Sequence, residues 1–289
     1  MRLCRFDDDR LGLVEGDSVR DVTQALDELP RHGYPLPRFD PLIANLAAVR
    51  RRVEAVAAGA PRRPLSAVKL LSPVANPGKL FCAPVNYRAH LEEARDDPTI
   101  HHQKQVQEIQ KAGLFLKATS ALVGAGEGVA IRHLDRRNDH EVELAAIIGK
   151  PGRNIPRARA YDHIAAWCIG LDMTVRGPEE RSLRKSIDSY AVLGPWLVTA
   201  DEIADPAALD LELSVNGEPR QHANTRDLIL TIPELIEFAS AFYTLHPGDV
   251  LFTGTPEGVG PVKPGDRLAA GIEGIGRMEV AVRAAAPSP

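Results

Sequence analysis

Apolar positions in the first seventy residues follow two periods. Short apolar runs broken by Asp and Gly over residues 1–20 are typical of a small hairpin, and the next stretch predicts a helix near residues 22–29. After a Pro-rich connection, apolar residues recur at steps of four and three, as on one face of a helix that ends at Gly59: Leu42, Leu46, Val49, Val53 and Val56. We therefore expect a small N-terminal domain over residues 1–70 and a second domain over residues 71–289.

Beyond residue 79 the pattern changes to short β-type runs cut by Gly and Pro. KLFCAPV, VELAAIIG, WCIGLDMTV and DVLFTG are examples of these runs, and each is typical of a strand. Few helices are predicted between the runs, among them residues 161–166, 178–186 and 232–243. Strands joined by turns rather than by long helices favour a β-rich α+β fold with mixed sheets and peripheral helices.

Composition narrows the range of functions. The 289 residues carry a formal net charge of −4, which argues against a polycationic nucleic-acid binder. Charged residues near the first position argue against a secretory signal, and no uncharged apolar run is long enough to predict a membrane span. Cys4, Cys82 and Cys168 are far apart and form no CxxC motif, which argues against a disulfide framework and favours a reducing, cytoplasmic location.

Three carboxylates stand out because they lie in or beside apolar strands. In DHEVELAAIIG, Glu141 and Glu143 alternate with apolar residues, so they would project from the same face of a strand. Asp172 lies in the apolar run WCIGLDMTV, where a buried carboxylate needs a partner. A hard divalent cation such as Mg²⁺ would satisfy all three. The alternatives are two solvated Glu on an exposed edge strand, and an Asp172 that pairs with Arg176 or Lys185 for structure.

Two further stretches offer groups for catalysis and binding. His90 and Glu93 are three residues apart in NYRAHLEEA, so on a helix they share a face and can form a hydrogen-bonded general base. A plain surface helix is the alternative. The run TGTPEGVG follows a predicted strand, and its Gly254 and Thr255 offer a close backbone approach and a hydroxyl to a ligand. This run matches neither a P-loop nor a dinucleotide-binding motif.

In their order along the chain, these motifs resemble the fumarylacetoacetate hydrolase superfamily. The resemblance extends from about residue 79 to residue 282 and includes KLFCAPVNYRAHLEEA, FLKATSALVGAGEGV, DHEVELAAIIGK, GLDMTVRG, RKSIDSYAVLGPWLV and LHPGDVLFTGTPEGVG. It implies a β-roll of mixed sheets behind a small N-terminal domain, and it implies a homodimer.

The resemblance also implies roles for individual residues. Glu141, Glu143 and Asp172 match the family's three metal carboxylates, with Mg²⁺ as the expected ion and Mn²⁺ or Ca²⁺ as alternatives. His90 and Glu93 match a catalytic dyad that activates water from a lid over the metal.

The lid is expected to comprise the polar segment 88–111. Because the segment has little apolar surface to anchor it, its opening should require little free energy. His101 and His102 in this segment are expected at the surface rather than as ligands.

The remaining matches concern the substrate. Arg176 and Lys185 match cations that contact the substrate, and Lys185 would stabilise the developing oxyanion. Thr255, with Gly254 beside it, matches the hydroxyl of the substrate-binding loop. The chain departs from the family pattern at Glu179, which stands in the place of a common neutral amide. We therefore expect Glu179 to line the pocket and to narrow the substrate range.

Members of this superfamily act on small keto or diketo acids. The resemblance implies hydrolysis of a C–C bond in an acylpyruvate or fumarylpyruvate-type substrate, through a metal-stabilised enolate. One alternative is an isomerase or decarboxylase of a 2-hydroxy-dienedioate in aromatic catabolism. Another is a noncatalytic carboxylate-binding homologue, although the complete set of site residues argues against it.

Overall fold

The computed structural model describes residues 1–100 and 106–286. Within these ranges the chain forms twenty strands, six α-helices and six short 3₁₀ helices. The α-helices are α1 (Pro41–Ala44), α2 (Leu46–Ala57), α3 (Arg88–Asp96), α4 (Ile109–Ala112), α5 (Arg181–Lys185) and α6 (Ile232–Phe242). The 3₁₀ helices are Thr23–Glu28, Leu65–Ala67, Thr119–Ala121, Arg157–His163, Ala200–Glu202 and Thr225–Asp227. Among the described residues, no helix combines the length and the apolar character needed to cross a membrane.

The strands are short, with between two and nine residues each. The first ten are β1 (Arg2–Phe6), β2 (Arg10–Glu15), β3 (Ser18–Asp21), β4 (Arg62–Pro64), β5 (Leu70–Leu71), β6 (Leu80–Cys82), β7 (Phe115–Lys117), β8 (Leu122–Gly124), β9 (Val129–Ile131) and β10 (Asn138–His140). The others are β11 (Val142–Ile148), β12 (Ile164–Asp172), β13 (Thr174–Val175), β14 (Ala191–Thr199), β15 (Asp210–Val215), β16 (Glu218–Asn224), β17 (Val250–Phe252), β18 (Gly260–Pro261), β19 (Arg267–Ile272) and β20 (Gly276–Ala284).

These strands form three sheets within the described ranges. The largest sheet has twelve strands in the order β4-β3-β2-β1-β14-β12-β11-β17-β6-β7, with β5 beside β1 and β8 beside β14. A five-stranded sheet has the order β16-β15-β19-β20-β9, and a three-stranded sheet has the order β13-β10-β18. Most neighbours are antiparallel, but β8, β6 and β9 join β14, β17 and β20 in parallel. This arrangement agrees with the predicted β-rich architecture of mixed sheets.

Strand β11 lies inside the large sheet, and both of its faces are buried. Leu144, Ala146 and Ile148 pack in one hydrophobic core, whereas Ala145 and Ile147 pack in a second one. A strand that is buried on both faces can be apolar throughout, which explains the run VELAAII. Pairing with β12 on one edge and β17 on the other fixes the register of β11.

The first seventy residues are continuous with this large sheet. Strand β1 pairs antiparallel with β14, and Leu3, Leu11 and Val49 pack in the same core as Ala145 and Ile147. The N-terminal segment therefore supports one face of the strands that carry the candidate site. A domain boundary near residue 70 stays a prediction.

Two predicted helices have different bounds in the structure. The helix expected over residues 42–56 is interrupted at Asn45, where α1 ends and α2 begins. The stretch 161–166 is the end of a 3₁₀ helix followed by strand β12, which begins at Ile164. Ile164 and Ala166 pair with β11 and β14, and this pairing outweighs the local helix preference of the stretch.

The segment that carries the predicted dyad is held by apolar contacts. Helix α3 buries one side of its surface, which packs in a small hydrophobic cluster consisting of Val85, Leu91, Ala94, Ile100 and Val259. The expectation that this segment has little apolar surface is therefore wrong for its described part. The prediction for His101 and His102 falls outside the described residues.

Gly124 lies in β8 against the backbone of Leu71 and Ser72, and the replacement Gly124→Ala should destabilise the protein. A Cβ atom at this position would lie 2.1 Å from the carbonyl carbon of Leu71 and 2.3 Å from the backbone nitrogen of Ser72, so the backbone would have to move. Overpacking of this kind typically costs about 1–3 kcal/mol. Urea denaturation followed by circular dichroism would measure the loss in the free energy of unfolding.

Gly59→Ala is the matched control, because a Cβ atom at Gly59 meets no other atom within 4 Å. The free energy of unfolding of this control should equal that of the wild type or exceed it by about 0.4–1 kcal/mol. Equal unfolding free energies for the two variants would contradict the packing of β8 against the backbone of Leu71 and Ser72.

Candidate active site

Strand pairing brings three buried carboxylates together. Glu141 lies between β10 and β11, Glu143 lies in β11, and Asp172 is the last residue of β12. The backbone N–H of Asp172 donates to the carbonyl oxygen of Glu141 at 2.9 Å, and Glu143 pairs with Gly170 across the same two strands. One oxygen from each carboxylate lies within 4.8 Å of the others, and no member of the trio is more than 5% exposed. The alternative of solvated Glu on an exposed strand is therefore excluded.

Two buried lysines contact this carboxylate trio. The Nζ atom of Lys185, at the end of α5, lies 2.7 Å from Glu141 Oε2 and 2.7 Å from Asp172 Oδ2. Lys117 in β7 donates to the other oxygen of Asp172 and, at 2.8 Å, to the carbonyl oxygen of Tyr190. The pairing of Asp172 with Lys185 that the sequence suggested is therefore present.

Arg176 pairs with other carboxylates than Asp172. Its Nε atom lies 2.7 Å from Asp139 Oδ2, and its Nη2 atom lies 3.0 Å from Glu141 Oε1. Lys185 contacts Oε2 of the same glutamate. A cation therefore holds each oxygen of Glu141, while the suggested pairing of Arg176 with Asp172 is not formed within the described residues.

The members of the trio differ in how well their charge is balanced. Burial alone raises the pKa of Glu141, but the positive charges of Lys185 and Arg176 outweigh it and hold that pKa well below its usual range. Burial also raises the pKa of Glu143, and the Asp172 and Glu141 carboxylates raise it further. Glu143 has no cationic partner among the described residues. It is therefore the group whose charge most needs neutralisation.

The donor set of the trio fits a hard divalent cation. Carboxylate oxygens are the ligands that Mg²⁺, Mn²⁺ and Ca²⁺ prefer in proteins. Carboxylates crowded in a buried site repel one another unless a positive charge or a proton lies between them. Glu141, Glu143 and Asp172 would thus hold such an ion in the arrangement that the sequence predicted.

The predicted dyad forms on helix α3. The Nδ1 atom of His90 lies 2.8 Å from Glu93 Oε2, and the backbone N–H of Gly258 donates to Glu93 Oε1 at 2.9 Å. Both oxygens of Glu93 are therefore engaged, which fixes the orientation of the imidazole. His90 is buried and lines the same cavity as the carboxylate trio.

The glycine-rich loop after β17 contributes in two ways. The backbone N–H of Gly254 donates to Glu143 Oε2 at 2.6 Å, so this glycine holds a carboxylate of the trio rather than facing the cavity. Gly254 has a φ of +106°, and a Cβ atom there would lie 2.6 Å from that of Asn86, so only glycine fits. Thr255 lines the cavity, and its Oγ1 accepts a hydrogen bond from Gln221 Nε2 at 2.8 Å.

Glu179 does not line the pocket, contrary to what the family resemblance led us to expect. Its carboxylate is partly exposed and pairs with Arg136 through two contacts, Nη2 to Oε2 at 2.7 Å and Nη1 to Oε1 at 3.0 Å. The cavity wall includes Arg176 but does not include Glu179. The expectation that Glu179 lines the pocket is therefore corrected, because the guanidinium of Arg136 holds it at the surface.

The part of the chain that carries this site matches a known protein family. The family profile described as "Fumarylacetoacetate (FAA) hydrolase C-terminal" matches residues 79–283. The chain belongs to the fumarylacetoacetate hydrolase family. All members of the carboxylate trio and the dyad lie inside the matched residues.

Similar proteins within the fumarylacetoacetate hydrolase family include two maleylpyruvate hydrolases. The one from Aquipseudomonas alcaligenes is 61% identical over 285 residues, which cover 98% of this chain and 99% of that protein. The crystal structure of the one from Sphingobium sp. SYK-6, in complex with manganese(II) ion and pyruvate, is 43% identical with a TM-score of 0.84 and covers 99% of this chain and 100% of that one. The structure of a 5-carboxymethyl-2-hydroxymuconate delta-isomerase from Mycobacterium smegmatis is 30% identical with a TM-score of 0.70, and covers 99% and 100% of the two chains.

These similarities confirm the predicted family, its fold and an enzyme of the C–C bond hydrolase type. The isomerase alternative has a structural relative as well, but that relative is less similar to this chain in both sequence and structure.

Several residues around the trio were not predicted from the sequence: Lys117, Asp139, Arg181, Arg184 and Gln221. Lys117 shares the buried face of β7 with Phe115, and a lone Lys on the apolar side of a strand is a signal that could have found it. Arg181 and Lys185 are four residues apart and share one face of α5, which is a readable pattern as well. Asp139 and Gln221 carry no such signal, because their partners depend on strand pairing.

The replacement Glu143→Gln should abolish most of the stabilisation that a divalent cation gives to the protein. A cation at 100 times its dissociation constant stabilises a protein by about 2.7 kcal/mol. Glutamine keeps the shape of the side chain but removes the least balanced charge of the trio. In the presence of a chelator, the Tm of Glu143→Gln should therefore not fall below that of the wild type. The increase in Tm on adding Mn²⁺ should be smaller for the variant than for the wild type. Scanning calorimetry would measure both values.

Glu92→Gln is the matched control, because Glu92 is exposed on α3, one residue from the dyad. This variant should keep the full Mn²⁺-dependent increase in Tm. An equally large increase in Glu143→Gln would show that Glu143 is not a metal ligand.

Proposed function

We propose that this protein hydrolyses a C–C bond of an acylpyruvate of the maleylpyruvate type and releases pyruvate and a carboxylic acid. One observation carries the proposal: the buried carboxylate trio and His90, which Glu93 orients, line the same cavity. Similarity to maleylpyruvate hydrolases over nearly the whole chain supports the same reaction.

In this proposal Glu141, Glu143 and Asp172 hold the metal ion. We propose Mg²⁺ as the native ion, with Mn²⁺ as an alternative supported by the manganese-bound relative and Ca²⁺ as a weaker one. A bound divalent cation would polarise the keto and carboxylate oxygens of the pyruvate half and stabilise negative charge there.

His90 acts as the general base in the proposed reaction. Because Nδ1 is engaged by Glu93, Nε2 is the atom that accepts a proton from water. The resulting hydroxide adds to the acyl carbonyl carbon, and the bond between this carbon and the pyruvate methylene breaks. The electron pair remains on the pyruvate half as an enolate, which takes up a proton to give pyruvate. The acyl half leaves as a carboxylic acid, so the overall reaction consumes one water.

The cations of the site favour an anionic substrate. Lys185 and Arg176 are buried beside the trio, so their charges are poorly screened by water. Lys185 adds positive charge where the oxyanion develops, and Arg176 assists in orienting the substrate. Thr255, fixed by Gln221, offers a hydroxyl to a substrate oxygen.

We also propose that the enzyme is a cytoplasmic homodimer. All three cysteines are buried and unpaired, which suits a reducing compartment. The homodimer follows from the family resemblance. Analytical ultracentrifugation tests it directly, because a monomer across micromolar concentrations would contradict it.

The replacement His90→Asn should slow acylpyruvate hydrolysis by about 10²–10⁴-fold, which is the usual contribution of a general base. The Mn²⁺-dependent increase in Tm should remain, because His90 is not among the proposed ligands. Loss of the absorbance of the enolised diketo acid measures hydrolysis.

His133→Asn is the matched control, because His133 is exposed and lies outside the cavity. It should keep wild-type activity. Full hydrolysis by His90→Asn would rule out His90 as the general base of the reaction.

A further inference from the structure

Two arginines on the cavity wall have no carboxylate partner within residues 1–100 and 106–286. Arg181 forms neither a hydrogen bond nor an ion pair in these ranges, although it lines the cavity. Arg184 also lines it, and its guanidinium donates only to carbonyl oxygens, from Nε to Glu179 at 2.8 Å and from Nη1 to Val175 at 3.3 Å. Both side chains are half-buried, which makes them unlike ordinary surface arginines.

The positive charge of these arginines exceeds what the carboxylate trio needs. Glu141 and Asp172 already have Lys185, Arg176 and Lys117 as partners. A bound divalent cation would add further positive charge. The cavity therefore has a surplus of positive charge on the side of α5, and such a surplus attracts an anion.

Burial makes this surplus unfavourable while the cavity holds no anion. Loss of solvent lowers the pKa of Arg181, and loss of solvent together with repulsion from Arg176 and Arg181 lowers the pKa of Arg184. A carboxylate between the two guanidiniums would remove this repulsion and supply the acceptors that they lack. The planar fork of a guanidinium matches the two oxygens of a carboxylate.

The geometry of α5 separates this positive centre from the metal site. Arg181 and Lys185 are four residues apart on one face of the helix, about 6 Å along its axis. Both lie over the ring of Phe115, with Arg181 Cζ at 5.5 Å and Lys185 Nζ at 5.4 Å from its centre. Lys185 contacts the trio, so Arg181 lies one helical turn away from it, across an aromatic surface.

We infer that Arg181 and Arg184 bind a second carboxylate of the substrate, at the end of the acyl chain, and so select dicarboxylic over monocarboxylic acylpyruvates. The pyruvate half then lies at the carboxylate trio, and the short carbon chain between the two ends crosses Phe115. This inference rests on the proposed hydrolysis and adds to it the substrate class and the residues that recognise it.

The test compares the wild type with Arg181→Met and Arg184→Met on two substrates. Maleylpyruvate has a second carboxylate, and acetylpyruvate has none. Hydrogen bonds to charged groups contribute enough that each replacement should lower the ratio of kcat/KM for maleylpyruvate over acetylpyruvate by about 10- to 150-fold. The loss should arise mainly in KM, since the arginines lie away from the bond that breaks. Arg181→Lys should recover part of the ratio.

Arg159→Met is the matched control, because Arg159 pairs with Asp162 at the surface and is not part of the cavity. Its ratio of kcat/KM for maleylpyruvate over acetylpyruvate should equal that of the wild type. An unchanged ratio in Arg181→Met, or an equal loss on both substrates, would overturn the inference and leave the proposed hydrolysis intact.

A binding measurement separates this inference from the proposed hydrolysis. Calorimetric titration with maleate, which carries carboxylates but undergoes no reaction, should show weaker binding to Arg181→Met than to Arg159→Met. If the wild type cleaves neither substrate, the proposed hydrolysis is wrong. The maleate titration still tests whether the two arginines bind a carboxylate. Equal maleate affinities would overturn their role.

Discussion

Three carboxylates whose oxygens lie within 4.8 Å of one another cannot all carry a charge in a buried site without nearby cations. Pairing between β11 and β12 forces this proximity, because the backbone of Asp172 is hydrogen-bonded to that of Glu141. Cationic side chains from separate elements form ion pairs with these carboxylates: Lys117 from β7, Lys185 from α5 and Arg176 after β13. The chain thus brings distant segments together around one electrostatic constraint, and a divalent cation at the trio would complete the charge balance.

The loop after β17 links the carboxylate trio to the dyad. Its Gly254 N–H contacts Glu143, and its Gly258 N–H contacts Glu93. A movement of this loop would therefore change the positions of Glu93 and Glu143 together. The close approach of Gly254 to Asn86 ties the loop to the segment that precedes α3. Hydrophobic contacts of α3 then hold the dyad in place, with His90 at the cavity.

Local patterns sufficed to predict the parts of the site that lie close together in sequence. Alternation along DHEVELAAIIG predicted Glu141 and Glu143 as neighbours, and helical spacing predicted the contact of His90 with Glu93. Partners that are set by sheet register could not be read in this way. Asp139 lies in β10 and Arg176 directly follows β13, and the alignment of these two strands, which brings the pair together, appears only in the folded chain.

The position of Glu179 also could not be predicted from a local sequence pattern. Its partner Arg136 is 43 positions away, and only the fold brings the two together at the surface. The fold class was predictable because turn residues and apolar runs recur regularly after residue 79. The continuity of the N-terminal strands with the large sheet was not, because no local pattern specifies that β1 pairs with β14.

The central claim is that hydrolysis depends on a divalent cation held by the carboxylate trio. The most direct measurement titrates the chelator-treated enzyme with Mn²⁺ and records bound Mn²⁺ by electron paramagnetic resonance alongside acylpyruvate cleavage. Activity should be absent without the ion and should rise in proportion to bound Mn²⁺, and Mg²⁺ should restore it too. Full cleavage by the enzyme without any divalent cation would contradict the account.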